Sequence, residues 1–444
     1  MKGKTHMIRK IATSMVAVTL LVCSQGLAVD SGFFFHKGDN VVFLGDSITE
    51  QKLYTTYIEA YTLTRFPSQE FVFRNVGWGG DTAWLRQRAH PSEKILFATN
   101  SVEQQKMIEA AVGVGLKRDV LPLKPMAVTV DFGMNDHGYQ AFRTNVFDVY
   151  TRSQAEIVKV LKQNGARVAL LTPQPIEDRR PDPNQDVRNQ CLRKFSDGLK
   201  VVATNEGALF VDQFDPYMAL MMSARVSHTN AVIGGGDAIH PGPAGHTLMA
   251  WAILKGLGAP AVVSSAEFDV SRFFRRKLMR VDHCKVSKTR YSHGILSFDR
   301  TDAALPMPID TRAVSALKFA SVLDDLSRYE LKVTGLKGDR YDIKIDGEKA
   351  VTVGKEELAK GVNLSVTAGP ITKQSQEVLS LVFKKNDVFY TRWRRCQLST
   401  NAVDQARIPE LDKQIATLET QITDARQPKL HHFELTPVAK ESGN

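Results

Sequence analysis

The sequence predicts an α/β protein: a three-layer, doubly wound parallel sheet of five strands, followed by a mainly β unit that ends in an amphipathic helix. Three observations carry this expectation. From residue 41 to about residue 256, short apolar runs alternate with amphipathic stretches, the pattern of strand-helix repeats. Past Gly258, a Gly-Ala-Pro-Ala joint leads into alternating segments and a hairpin-turn dipeptide. Near the end, apolar residues recur at spacings of three and four. A length of 444 residues suits two folding units, and 43% hydrophobic with 24% charged residues excludes a fibrous or disordered chain.

The N-terminus stands outside that scheme. Lys2, Lys4, Arg9 and Lys10 precede an apolar run over residues 11–22, and Gly26-Leu27-Ala28 places small residues at the −3 and −1 positions of a cleavage site. This reads as a secretory signal over residues 1–28, cleaved after Ala28. The run is shorter than the roughly 20 apolar residues that cross a bilayer, which argues against an uncleaved anchor. Cys23 follows a valine rather than the small residue a lipidation signal requires. The expected location is the periplasm or the outside of the cell, with no stable membrane insertion once the leader is gone. Cleavage removes four positive and no negative side chains, so the formal charge falls from +10 to +6. Cys191, Cys284 and Cys396 remain, and at most one intramolecular pair can form; Cys284 with Cys396 is one option, three buried thiols the other.

The strand candidates are residues 41–44, 71–75, 126–132, 167–171 and 208–211, with helices expected at about 51–64, 140–163, 184–204 and 243–256. The connection over 91–124 is long enough to hold a helix of its own. The α/β unit is thus expected over residues 29–258 and the accessory β-rich unit over 259–444. In the latter, Asp346-Gly347 separates two alternating runs as a hairpin turn. Ile408, Leu411, Ile415, Leu418 and Ile422 mark an amphipathic helix, with Pro409 near its start, that packs on the protein's own body.

Four segments carry chemistry. Val41-Val42-Phe43-Leu44 runs directly into Gly45-Asp46-Ser47-Ile48-Thr49, so a serine sits at the C-terminal end of a strand, where open α/β sheets bind ligands. The second, Asn75-Val76-Gly77-Trp78-Gly79-Gly80-Asp81-Thr82, offers unobstructed glycine N–H groups to an oxyanion; Gly79 and Gly80 both qualify. The third, Asp131-Phe132-Gly133-Met134-Asn135-Asp136, supplies a neutral amide donor. The fourth is Gly234-Gly235-Gly236-Asp237-Ala238-Ile239-His240-Pro241-Gly242. Serine is a poor nucleophile until a base takes its proton, and Asp237, three residues before His240, can reach its Nδ1 within a turn. Metal binding competes for an Asp-x-x-His pair, but no further His or Cys cluster completes a site, even with His246 near in sequence.

Together and in this order the segments resemble the SGNH hydrolases, also called GDSL esterases and lipases, over roughly residues 40–256. The resemblance implies a flavodoxin-like sheet, Ser47 as nucleophile, Asp237 and His240 completing the triad, and an oxyanion hole of Ser47, Gly80 and Asn135. It implies no metal and no cofactor. Ile48 replaces the leucine of the family name, an apolar exchange, and no G-x-S-x-G elbow surrounds Ser47.

The expected activity is hydrolysis of acyl esters, acetyl foremost, on an acylated small molecule or polysaccharide. The alternatives are a GDSL-type lipase or thioesterase for longer acyl chains and a non-catalytic glycan-binding surface protein. Carbohydrate is preferred because the 91–124 insert mixes Glu103, Lys106, Glu109, Lys117 and Arg118 among its apolar residues, unlike an apolar lid. Two basic-aromatic stretches, 272–277 and 390–395, fit either a surface for an anionic glycan or solvated faces with buried aromatics and ion pairs between domains. Nucleic acid is not expected for an exported chain without a binding motif.

Overall fold

The five strands β1 (Asn40–Gly45), β2 (Val72–Asn75), β3 (Ala127–Asp131), β4 (Arg167–Leu171) and β5 (Leu209–Val211) pair in the order β2-β1-β3-β4-β5. Every pairing is parallel; Val41, for example, lies opposite Phe73 on one side and Ala127 on the other. The structure is a computed structural model that describes residues 32–271 and 279–439. The expected leader and the 272–277 stretch lie outside the described residues.

Because successive strand residues face opposite ways, each strand feeds two cores. Val41, Phe43, Ala127, Ala169 and Leu171 face one helical layer, and Val42, Leu44, Val128, Val130, Val168 and Leu170 face the other. The first layer holds α1 (Ser47–Glu50), α2 (Leu53–Arg65), α7 (Phe214–Ser227) and α8 (Pro243–Gly256). The second holds α3 (Arg86–Ala89), α4 (Ser101–Asp119), α5 (Thr144–Gln163) and α6 (Val187–Glu206). Local signals set the ends. The Asn100 side chain accepts from two N–H groups of the first turn of α4, Asp186 caps α6, and Gly207 ends α6 at φ +62°. The helix expected at about 51–64 is α2, and Lys52, at φ +65° just before it, separates it from the single turn that begins at Ser47.

The β-rich region builds two sheets that share one core. One has the order β13-β10-β6-β7, from β6 (Val262–Asp269), β7 (Met279–Asp282), β10 (Arg328–Thr334) and β13 (Val362–Asn363). The other has the order β12-β11-β14-β9-β8, from β8 (Cys284–Ser292), β9 (Ile295–Asp302), β11 (Arg340–Ile345), β12 (Glu348–Gly354) and β14 (Leu430–Pro437). The hairpin turn sits where expected, with Asp346 and Gly347 both at positive φ. The helices here are α9 (Val322–Leu326), α10 (Lys355–Lys360), α11 (Pro370–Tyr390), α12 (Ala402–Gln405) and α13 (Ile408–Ala425). The amphipathic α13 buries Leu411, Ile415 and Ile422 and packs on α11, but the chain does not end there. Strand β14 follows and fills the middle of the five-stranded sheet, burying His431, Phe433 and Leu435. Its paired histidines break the apolar alternation by which a strand is recognised.

This region also covers the α/β layers. α8 lies under residues 311–318 and α9, so it is buried nearly all round, and α11 packs against α2 through a buried Lys385–Glu59 ion pair that Asn386 joins. The Cys284–Cys396 option is not taken: all three cysteines are free, and the Cys284 thiol donates to Ser265 O at 3.2 Å. The 390–395 stretch runs off the end of α11 into a wider π-type turn, with Trp393 buried, Arg392 paired with the exposed Asp412 and Arg395 exposed.

Candidate active site

The strand order reverses between β1 and β3, so the crevice beyond their C-terminal ends is the topological switch point. Ser47 follows β1 there. Asp46 caps the single turn by accepting the Ile48 N–H at 2.9 Å, and this leaves Ser47 at the first helical position with its side chain half-buried. Its Oγ lies 3.0 Å from His240 Nε2. On the far side of the ring, His240 Nδ1 lies 3.2 Å from Asp237 Oδ2. A serine, an imidazole and a carboxylate in this line can pass a proton from the hydroxyl to the ring while the carboxylate fixes the tautomer.

The Asp237–His240 turn is short and self-supporting. Asp237 Oδ1 accepts the N–H groups of Ile239 and His240, each at 2.7 Å, and donation from these groups holds the carboxyl below its usual range. Beneath the turn, the buried Glu177 accepts from Ile233 N–H, Gly234 N–H and Tyr217 OH, while Gln174 donates to Ile239 O. His246 points away from this site. It is buried, accepting the Tyr54 N–H at Nδ1 and facing Gln51 Oε1 at 2.6 Å with Nε2; burial pushes its pKa down to about 3.

Opposite His240 stands the glycine segment. Trp78 N–H donates to Gly45 O, and Asp81 N–H donates to Trp78 O, which closes a turn across Gly79 and Gly80. Gly80 sits at φ +74°, the conformation that the third position of a type II turn demands and that glycine adopts without strain. Gly77 is needed for a different reason: a Cβ there would lie 2.2 Å from Glu50 N. Gly79 N–H is taken, donating to Glu50 Oε2 at 2.8 Å. Among the described residues neither the Ser47 nor the Gly80 N–H finds an acceptor, so both are free for a ligand. This separates the two glycines that sequence alone left open.

Asn135 completes the group. Its Oδ1 accepts from Tyr139 OH at 3.0 Å and its Nδ2 donates to Asp81 O at 3.0 Å, so the amide orientation is set and one N–H remains. Asp136 holds the same loop pair by accepting from Ala83 N–H and Gly133 N–H. Behind these residues the site is buried. Burial raises Asp131 and Asp136 to about 7, and burial together with the neighbouring Asp131 carries Asp46 well above the carboxylate range.

The structure therefore brings together all five residues singled out in the sequence: Ser47, Gly80, Asn135, Asp237 and His240. It adds Glu50, Tyr139 and Glu177, which hold them. None of these three belongs to a segment singled out in the sequence.

The model of the GDSL-like lipase/acylhydrolase family matches residues 43–248. The matched segment is a domain of that family. It is a carboxylic ester hydrolase of the SGNH type. An acetylxylan esterase from Geobacillus stearothermophilus is 25% identical over 232 residues, which cover 50% of this chain and 94% of that protein. The solved structure of a gut microbial diltiazem-metabolizing enzyme superposes with a TM-score of 0.74 at 23% identity, covering 91% of this SGNH chain and 98% of its own. The fold is thus shared well beyond the family segment, through the β-rich region.

Proposed function

We propose that this SGNH hydrolase is an exported serine esterase that removes acyl groups, acetyl foremost, from carbohydrate through a covalent acyl-enzyme. The observation that carries the mechanism is the line Ser47 Oγ, His240 Nε2, Asp237 with free N–H groups on Ser47 and Gly80 beside it. In the first half-reaction His240 takes the Ser47 proton as Oγ bonds to the ester carbonyl carbon. The carbonyl oxygen becomes an oxyanion held by Ser47 N–H, Gly80 N–H and the remaining Asn135 N–H. Collapse breaks the bond to the alcohol, which leaves with the proton from His240. In the second half, His240 deprotonates water, which attacks the acyl carbon and restores Ser47.

Two things support acetyl and carbohydrate: the acetylxylan esterase relative and the charged character of the 91–124 insert. The N-terminal sequence, basic then apolar then small, supports export. Ser47→Ala is expected to abolish turnover of a chromogenic acetyl ester, a loss of roughly 10⁴-fold or more, with an unchanged melting temperature. Retained activity would reject Ser47 as the nucleophile. An ester series from acetyl to palmitoyl should peak at acetyl, and a peak at long chains would reverse the substrate assignment.

A further inference from the structure

The second basic-aromatic stretch ends up beside the glycine turn. Tyr390, the last residue of α11, donates its hydroxyl to Glu50 Oε1 at 2.8 Å, while the other oxygen of that carboxylate accepts the Gly79 N–H. Arg394, one turn further, lays its guanidinium 3.7 Å from the centre of the Trp78 ring and brings Nε within 3.9 Å of Glu50 Oε1. Lys52, just after Glu50, lies over the Tyr390 ring at 4.5 Å and pairs with Asp387 at 3.5 Å. Two elements near the nucleophile are thus fastened to one helix end more than 300 residues away in sequence.

The turn needs such fastening. With glycine at both central positions, nothing in the side chains prefers a type II over a type I turn, and the two differ by a flip of the central peptide. That peptide carries the Gly80 N–H. A flip would turn the donor away from the oxyanion while leaving Ser47, His240 and Asp237 in place. The Glu50 carboxylate fixes the preceding peptide through Gly79 N–H, and the Arg394 stack fixes Trp78.

We propose that Tyr390 and Arg394 are positioning residues for ester hydrolysis, holding Glu50 and Trp78 so that the Gly80 N–H stays aimed at the oxyanion. The inference rests on the esterase reading above, and it assigns the C-terminal region a part in building the active site.

The test uses the full chain and the variants Tyr390→Phe and Arg394→Gln, with Lys384→Ala, an exposed change on the same helix, as the control. Losing one oxyanion donor outright costs about 10²–10³ in kcat, so a donor misaimed part of the time should cost roughly five- to thirtyfold. Each variant is expected to lose that much kcat for an acetyl ester with KM within twofold, and the control to match wild type. Glu50→Gln combined with Tyr390→Phe should be no slower than Glu50→Gln alone, because both act through one link.

Hydrogen exchange of the peptide spanning residues 76–85 gives a readout without turnover. Tyr390→Phe should speed exchange there about tenfold or more. Unchanged exchange, or an additive double variant, overturns the clamp even when wild type is an active Ser47-dependent esterase. Faster exchange in a protein without Ser47-dependent activity overturns the esterase reading and, with it, the positioning role.

Discussion

The two arms of the active site are built on different plans. The proton-transfer arm, Asp237 and His240, sits in a four-residue turn at the surface, with side chains 66% and 35% exposed, and it takes most of its support from its own backbone. The oxyanion arm, Gly80 and Asn135, is braced from several distant elements: Glu50 after β1, Asp81 and Tyr139 in the facing loops, and α11 behind. The difference follows from what each arm does. An imidazole that shuttles a proton can be reoriented by a neighbouring carboxylate in the presence of water. A neutral N–H donor has only its direction to offer, and it stabilises a developing charge only if no reorganisation is needed at the moment of reaction.

The largest expected effect that tests this contrast is on the braced arm. Asn135→Ala should lower kcat by about 10²–10³ with little change in KM. Asp237→Ala should lower it by less, because water that reaches the exposed turn can take over part of the carboxylate's hydrogen bond to His240 Nδ1. Steady-state kinetics on one acetyl ester decides the order, and a larger loss in Asp237→Ala would show that the exposed arm is the more demanding one.

A further effect concerns the buried rear of the site, where burial raises Asp131 and Asp136 to about 7 and lowers His137 to about 4 and His246 to about 3. An unfolded aspartate releases its proton near 3.9, roughly, so between about 4 and 7 each buried aspartate holds a proton that the unfolded chain has lost. Folding stability contributed by each then falls as pH rises through that window, by about 1.4 kcal/mol per unit at most, and levels off above it. The two buried histidines act with the opposite sign. The unfolded chain protonates them below roughly 6.5 and the folded protein does not, so their contribution falls as pH drops. Asp131→Asn removes one descending term. Its stability relative to wild type should therefore rise between pH 4 and pH 7 in urea titrations, and a pH-independent difference would place the Asp131 proton elsewhere.

Much of the site was legible because each of its five residues lies in a run of motif residues directly after a strand or before a helix. The parallel sheet itself needed no more than the alternation of apolar runs. What stayed hidden has long-range causes. Tyr390 meets Glu50 across 340 positions, and Arg394 and Tyr139 carry no motif; their roles come from where α11 and the 133–143 loop are packed. Strand β14 escaped for the same reason, since its partners are β9 and β11 rather than a sequence neighbour. The terminal thiols likewise offered a pairing on paper that the fold does not bring together.

The central claim, that Ser47 carries the acyl group, is tested most directly by quenching wild-type enzyme with an acetyl ester in the pre-steady state and mapping the acylated peptide by mass spectrometry. One acetyl group on the peptide bearing Ser47, formed at least as fast as turnover and absent from Ser47→Ala, is the predicted result. Turnover that proceeds with no acylation of Ser47 would contradict it.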